Sequence, residues 1–462
     1  MNKHQTVFFV PLQLAFAEVK LTVTVRSPLW LNAPMTDQDQ TEPRVQFGRG
    51  ELLRQPQFRI LLLARSISFF GDSLAPIAIP FAVLAAGGSA VDVGIVLGAG
   101  TVTNLILLLT AGVIADRMPR RLLLITSDAL QGVVMTAMCV VLLTDNYSLW
   151  LLVVLQVLFG AGMALNMPAF TGILPQVVDP SHVQAANGLL SVTQSAAQIG
   201  GPAFAGILVA AGSPGIALGV DAATFFVSAL LLLGLRVSTE RAAEPMRFLR
   251  DLKEGWQEMT RRRWYWVSLL AHSGCNFSIG VFSVLGPVIV SGNGGATGWG
   301  LISTAGAIGS LIGGVVVMRL WLRRPIVYGN LAVVLYAPSL LLLVQPSPVW
   351  AIMIGAGVAA FAISILNGAW NSAVQQLIPE AILSRLSSYD WLISFATLPL
   401  GYTLAGPLSE AFGQSNVLVG SALLLALPCA LTVLDPTIRG VRADRNGQII
   451  KGEPIAEPVK AV

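Results

Sequence analysis

Arg65 and Asp72 stand seven residues apart inside the apolar run ILLLARSISFFGDSLAPIAIP. Seven residues is two helical turns, so a helix puts them on one face with Ser68, Phe69 and Pro76. A rise of ~1.5 Å per residue from Phe58 sets Arg65 about 10 Å along that helix and Asp72 about 20 Å. A carboxyl kept from water at such a depth binds protons more readily than one in solution. Asp72 is therefore the expected residue for proton or substrate coupling, and a static ion pair with Arg65 is the alternative. Arg65 could equally extend its head group to the membrane surface. Asp128 in SDALQGVVM lies about 9 Å along its own helix by the same rise, at the depth of Arg65, where pairing or a gating part is open to it. Asp390 is expected to support a helix N-terminus, and His272 to be a packed, hydrogen-bonded core residue. Asp221 and Glu410 fall toward helix ends, where wet surroundings would make them ordinary.

These groups need helices in lipid to hold them. The chain has 462 residues, 54% hydrophobic and 11% charged, with a mean hydropathy of +0.72. Soluble domains carry about 25% charged residues, so a soluble multidomain enzyme and a disordered chain are both excluded. At ~20 apolar residues per crossing, spans are predicted near 58–86, 92–115, 122–144, 148–173, 187–212 and 215–236. Six more follow near 264–291, 298–320, 326–345, 348–372, 386–411 and 415–434. The expected fold is an all-α membrane protein with twelve transmembrane helices in two pseudo-symmetric six-helix bundles. Cys139, Cys275 and Cys429 lie in apolar runs, which predicts neither disulfides nor a metal site. None of the five lysines sits in a phosphate-binding loop, so no cofactor and no nucleotide-driven pumping are expected.

Basic residues set the orientation. Arg44 to Arg59 precede span 1, Arg117 to Arg121 follow span 2, and a block from Arg236 to Arg263 separates spans 6 and 7. Arg319, Arg323 and Arg324 follow span 8, Arg385 precedes span 11, and Arg439 to Lys451 follow span 12. The alternate loops contain no lysine or arginine. Both termini are therefore expected on the cytoplasmic side of a cell inner membrane, and the net charge of +4 reflects topology rather than nucleic-acid binding. The predicted organisation is a largely disordered extension (1–57), a bundle (58–236), a cytoplasmic linker with an amphipathic surface helix (237–263), a second bundle (264–434) and a tail (435–462). The start MNKHQTVFFVPLQLAFA is superficially like a signal peptide. Exporting it contradicts the basic flank of span 1, so a start at Met35 is the plainer reading, with residues 1–50 poorly ordered.

The halves echo one another. VVDPSHVQAANG aligns with LIPEAILSRLSS, Phe204-Ala205-Gly206 with Leu404-Ala405-Gly406, and GVIADRMPRR with GVVVMRLWLRR. Recurrence in the loops as well as the spans points to a parallel repeat with a substrate site between the halves.

GVIADRMPRR, with Gly112, Asp116, Arg117, Arg120 and Arg121, resembles the signature loop after span 2 in the major facilitator superfamily. The resemblance implies a cytoplasmic gate. Its aspartate would dock at the N-terminus of span 11, beside the capping candidates Ser384 and Ser387, while its arginines would anchor the loop on the anionic leaflet. In span 5, Gly188, Ala197, Gly201, Pro202, Ala205 and Gly206 resemble the glycine series of that family's antiporters. Small residues allow close helix approach and proline bends the span, and the resemblance implies export. Two features depart from the family pattern: Gln156 stands where many members carry a span 4 arginine, and Met318 replaces the aspartate in the repeated gate loop. The chain from about 55 to 435 looks most like the twelve-span drug–proton antiporter group that includes macrolide and siderophore exporters.

Asn104, Asn166, Gln194, Gln198, Asn276, Asn367, Trp370 and Asn371 are the polar and aromatic candidates to line a central cavity, although helix–helix hydrogen bonding explains any one of them as well. Amides and aromatics with few net charges suit a bulky amphiphile. The expected function is proton-driven efflux of a hydrophobic or amphiphilic small molecule by alternating access. The expected partners are that molecule, protons and membrane lipid, with no nucleic acid, and the protein is expected to be a monomer. An uptake symporter of the same fold and a non-transporting scaffold or sensor are the alternatives. An intramembrane enzyme is disfavoured, because no H-E-x-x-H and no Ser/His pair is present.

Overall fold

A computed structural model describes residues 52–144, 148–237, 255–345, 347–444 and 447–450. Side chains at 109–110, 112–113, 115–117, 180, 380–381, 384–385 and 388 lie outside that set, as do the N-terminal extension with Met35 and most of the linker. Among the described residues ten helices are long and apolar enough to cross a membrane. The other two predicted spans are helical as well. Val183–Ala211 is long but carries Gln184, Asn187, Gln194 and Gln198, and Pro325–Leu341 is shorter.

Span 1 is not one helix. It runs Pro56–Asp72, breaks at Ser73 and Leu74, and resumes as Ala75–Ala85. Pro76 explains the break: it lacks the N–H that would bond the carbonyl of Asp72, and its ring crowds that carbonyl. Span 11 is also irregular, with Glu380–Asp390, a π-helical turn Trp391–Phe395 and then Thr397–Phe412. Span 2, Ala90–Arg117, starts at a capping box in which Ser89 and Asp92 bond each other's backbone N–H.

The two halves pack alike. Spans 2 and 4 adjoin, as do 8 and 10; the pairs 1 and 5, 3 and 4, and 1 and 6 recur as 7 and 11, 9 and 10, and 7 and 12. Across the halves, span 2 meets span 11 and span 5 meets span 8, two crossings that exchange under the same six-span shift. Large apolar side chains such as Ile106, Leu230 and Leu270 stay exposed, as a lipid-facing surface requires.

The apolar core is shared at one end and divided at the other. Toward the end whose loops lack lysine and arginine, one cluster joins Ile77, Val93, Phe159 and Ala205 of the first half to Leu285, Trp299 and Leu418 of the second. Toward the basic end each half has its own core. One is built around Phe58, Leu124, Ile173 and Leu232, the other around Trp264, Ile326, Trp370 and Ile438. The tail segment joins the second of these: Ala443 N–H donates to the Arg323 carbonyl (2.9 Å) and Ile449 N–H to Gln376 Oε1 (2.8 Å).

Candidate functional site

Where the core divides there is a cavity of about 520 Å³. Asp72 enters it at the break in span 1, followed by Pro76 and Ile79. Span 2 adds Thr101 and Asn104, and span 4 adds Gln156, Phe159 and Met163. The second half closes it with Phe282, Ser283, Trp299, Ser303 and Tyr402. Among the described residues Asp72 is the one carboxyl in this wall, and the rest is mostly aromatic and aliphatic with a few neutral hydrogen-bonding groups.

At the lysine- and arginine-free end the halves close on each other through small residues. A Cβ on Gly94 would come within 2.3 Å of the Tyr402 carbonyl oxygen, and one on Gly406 within 2.4 Å of the Val91 Cα. A Cβ on Gly300 would come within 2.4 Å of the Pro202 carbonyl oxygen, and one on Gly206 within 2.7 Å of the Ala296 carbonyl oxygen. Thr297 and Thr304 on span 8 donate to the Gly206 and Ile199 carbonyls of span 5. Of the span 5 series, Gly201 instead packs on Ser73 of span 1, and Gly188 has open space around its α-carbon.

Arg65 does not pair with Asp72. Its Nη1 lies 4.0 Å from Asp128 Oδ1, with both side chains buried, and its guanidinium is held between the faces of Phe69 and Phe170, 4.8 Å from each centroid. Asp128 also accepts from Asn166 Nδ2 (2.9 Å) and Ser228 Oγ (2.6 Å). Spans 1, 3, 4 and 6 are thus tied at a buried charged knot, which satisfies the carboxylate.

The second half has a neutral counterpart on spans 7, 9, 10 and 12. His272 Nε2 lies 3.0 Å from Asn330 Oδ1, Asn330 Nδ2 donates to Thr432 Oγ1 (2.9 Å), and Trp370 stands edge-on to His272. Trp370 Nε1 donates to Asp390 Oδ2 (2.9 Å) and its ring stacks on Tyr265. His272 is therefore the packed, hydrogen-bonded residue expected of it, and Asp390 bonds Trp370.

Of the expected cavity residues, Asn104 lines the wall. Asn166 and Trp370 belong to the two knots, and Asn276 bonds the His272 carbonyl of its own helix (3.2 Å). Gln194, Gln198, Asn367 and Asn371 are exposed and outside the cavity. In the GVIADRMPRR motif after span 2, Arg120 donates to the Gly172 carbonyl, and Arg121 to the Leu232 (3.1 Å) and Leu233 carbonyls. Arg121 thereby satisfies the open C-terminus of span 6. The surroundings of Gly112, Asp116, Arg117 and Ser384 lie outside the described residues.

Asp221 differs from the sequence expectation of wet surroundings. It has no exposed surface, because Gly71 lets spans 1 and 6 close over it: a Cβ there would meet Asp221 Oδ1 at 2.5 Å. Gln156 and the aromatics Phe159, Phe282 and Trp299 are cavity residues that the amide-based expectation did not include.

The chain matches the sequence model of the Major Facilitator Superfamily over residues 61–395. It is 25% identical over 404 residues to the "Multidrug efflux pump Tap" of Mycolicibacterium fortuitum, covering 85% of this chain and 97% of that one. To "Macrolide efflux protein A" of Streptococcus pyogenes it is 19% identical, covering 84% and 96%. A bacterial homologue of the lysosomal transporter Spinster, solved inward-facing and unoccupied, superposes with a TM-score of 0.65 at 15% identity, over 84% of this chain and 96% of that one. A POT family transporter superposes with a TM-score of 0.68 at 12% identity, over 82% and 96%. With its helical halves, the cavity between them and a family match over most of its length, the chain belongs to the major facilitator superfamily and is a multi-pass membrane transporter, not an enzyme.

Proposed function

We propose that the protein exports a hydrophobic or amphiphilic small molecule, driven by inward proton flow, with Asp72 as the coupling carboxyl. The observation that carries this reading is the placement of Asp72 as the one carboxyl in an apolar and aromatic cavity, at the fork where a shared core becomes two. A charge there is costly unless it binds a proton or a cation, so Asp72 has reason to exchange one for the other. The relatives named as efflux pumps support export as the direction.

In this reading the basic end is cytoplasmic, both termini lie there, and the contacts at the other end close an inward-facing state. Residues 58–236 and 264–434 are the rocking bundles, joined by the linker 237–263, with the chain acting as a monomer. Gly206 and Gly300, with Pro202, form one pivot of the rocking, and Gly94 and Gly406 the other. Arg120 and Arg121, with Asp116 and Arg117, belong to the inner gate.

Inside-out vesicles test the direction and the driving force. A lipophilic fluorescent dye should accumulate inside them when the membrane is energised, and the accumulation should vanish when the pH gradient is collapsed. Accumulation in right-side-out vesicles instead would establish uptake.

A further inference from the structure

Asp221 is the one carboxyl among the described residues with no exposed surface and no hydrogen-bond partner on either oxygen; Asp128 on span 3 is equally buried but accepts from Asn166 and Ser228. The Thr224 hydroxyl beside it bonds the Asp221 carbonyl (2.7 Å) rather than the carboxyl. An ionised carboxylate left in that condition would be far less stable than a neutral one. Burying the same group with a proton on it costs far less.

Its location connects that proton to the transport path. Asp221 packs directly on Gly71, the residue before Asp72, at the break in span 1. Discontinuous helices near mid-membrane are where transporters of this kind build ion sites. Spans 1, 3 and 5 pack against span 6, and span 5 has no ionisable side chain. On span 3, Arg121 bonds the far end of span 6, Asp128 bonds Ser228, and the Cys139 sulfur faces Gly219. On span 1, Arg59 is exposed and Arg65 is held at Asp128. That leaves Asp72, next in the chain to the Gly71 on which Asp221 packs.

We propose that Asp221 is a second proton-binding residue of this transporter, paired with Asp72 across the break in span 1. Asp72 exchanges its proton with the cavity, while Asp221 holds one behind the helix. Two neighbouring carboxyls resist ionising together, so the pair titrates as a unit. A change of angle at Ser73 and Leu74 would alter the separation of the two groups and hence the proton affinity of both. This inference rests on Asp72 being the coupling carboxyl, and its test separates the two ideas.

Infrared spectroscopy of the purified protein near neutral pH should show a protonated-carboxyl band that is lost in Asp221→Asn and retained in Asp72→Asn. In vesicles, Asp221→Asn should lose gradient-driven accumulation at least tenfold while substrate exchange without a gradient continues, a split that a purely structural role would not give. If Asp221→Asn fails to reach the membrane, Asp221→Glu serves, with the band displaced in frequency. An unchanged spectrum in the Asp221 variant overturns the inference even if wild-type transport is proton-driven. Wild-type transport indifferent to the pH gradient overturns the role of Asp72, whatever the spectrum shows.

Discussion

Arg65 and Asp128, on different spans, face each other at 4.0 Å with no appreciable exposure, although Arg65 and Asp72 lie on one face of the same helix. The pairing leaves Asp72 to the cavity. It also gives the first half a charged fastening where the second half has a neutral one built on His272, Asn330 and Thr432.

The two members of that pair differ in what they can do alone. Asp128 retains Asn166 and Ser228 and can neutralise itself by taking a proton, whereas arginine cannot shed its charge. Asp128→Ala should therefore cost about 3–5 kcal/mol, the usual penalty for a stranded buried charge. Arg65→Ala should cost less. Thermal melts of the two variants in detergent check the ranking, and equal losses would contradict it.

The closed end depends on the absence of side chains at the crossings. A Cβ on Gly406 meets the Val91 backbone at 2.4 Å, whereas one on Gly188 meets nothing within 4 Å. Gly406→Val should force spans 2 and 11 apart. In a Thr101→Cys background, a membrane-impermeant maleimide applied from the arginine-free side should then react severalfold faster. Gly188→Val should leave that rate as it was.

Asp435, just beyond span 12, gives a pH dependence whose sign is fixed. Burial raises its pKa, but hydrogen bonds from Thr437 and from Arg263 Nε (2.8 Å) outweigh that and hold the carboxyl below its ordinary value. A group depressed on folding stabilises the protein above its unfolded pKa, about 3.9, and the stabilisation fades as pH falls toward the folded value. Melting temperature should thus fall less between about pH 5 and acid pH in Asp435→Asn than in wild type. Parallel curves would contradict the assignment.

Hydropathy and charge placement made the spans legible, because lipid imposes length and polarity on each helix separately. The depths of Arg65 and Asp128 were legible for the same reason: the helical rise converts position into height. Rotation about the helix axis was not, since it is set by neighbours far along the chain. Depth alone therefore could not show that Arg65 turns to Asp128, that Asn166 joins that knot, or that Asp221 is sealed by Gly71. Phe159, Phe282 and Trp299 carried no signal of their own, being ordinary in apolar spans. Amides were the more visible candidates, and of these Asn104 faces the cavity.

Asp72→Asn in inside-out vesicles is the most direct test of Asp72 as the coupling carboxyl. The variant should reach the membrane and still exchange substrate across it, but no longer accumulate substrate in response to a pH gradient. Accumulation at the wild-type level would contradict that role.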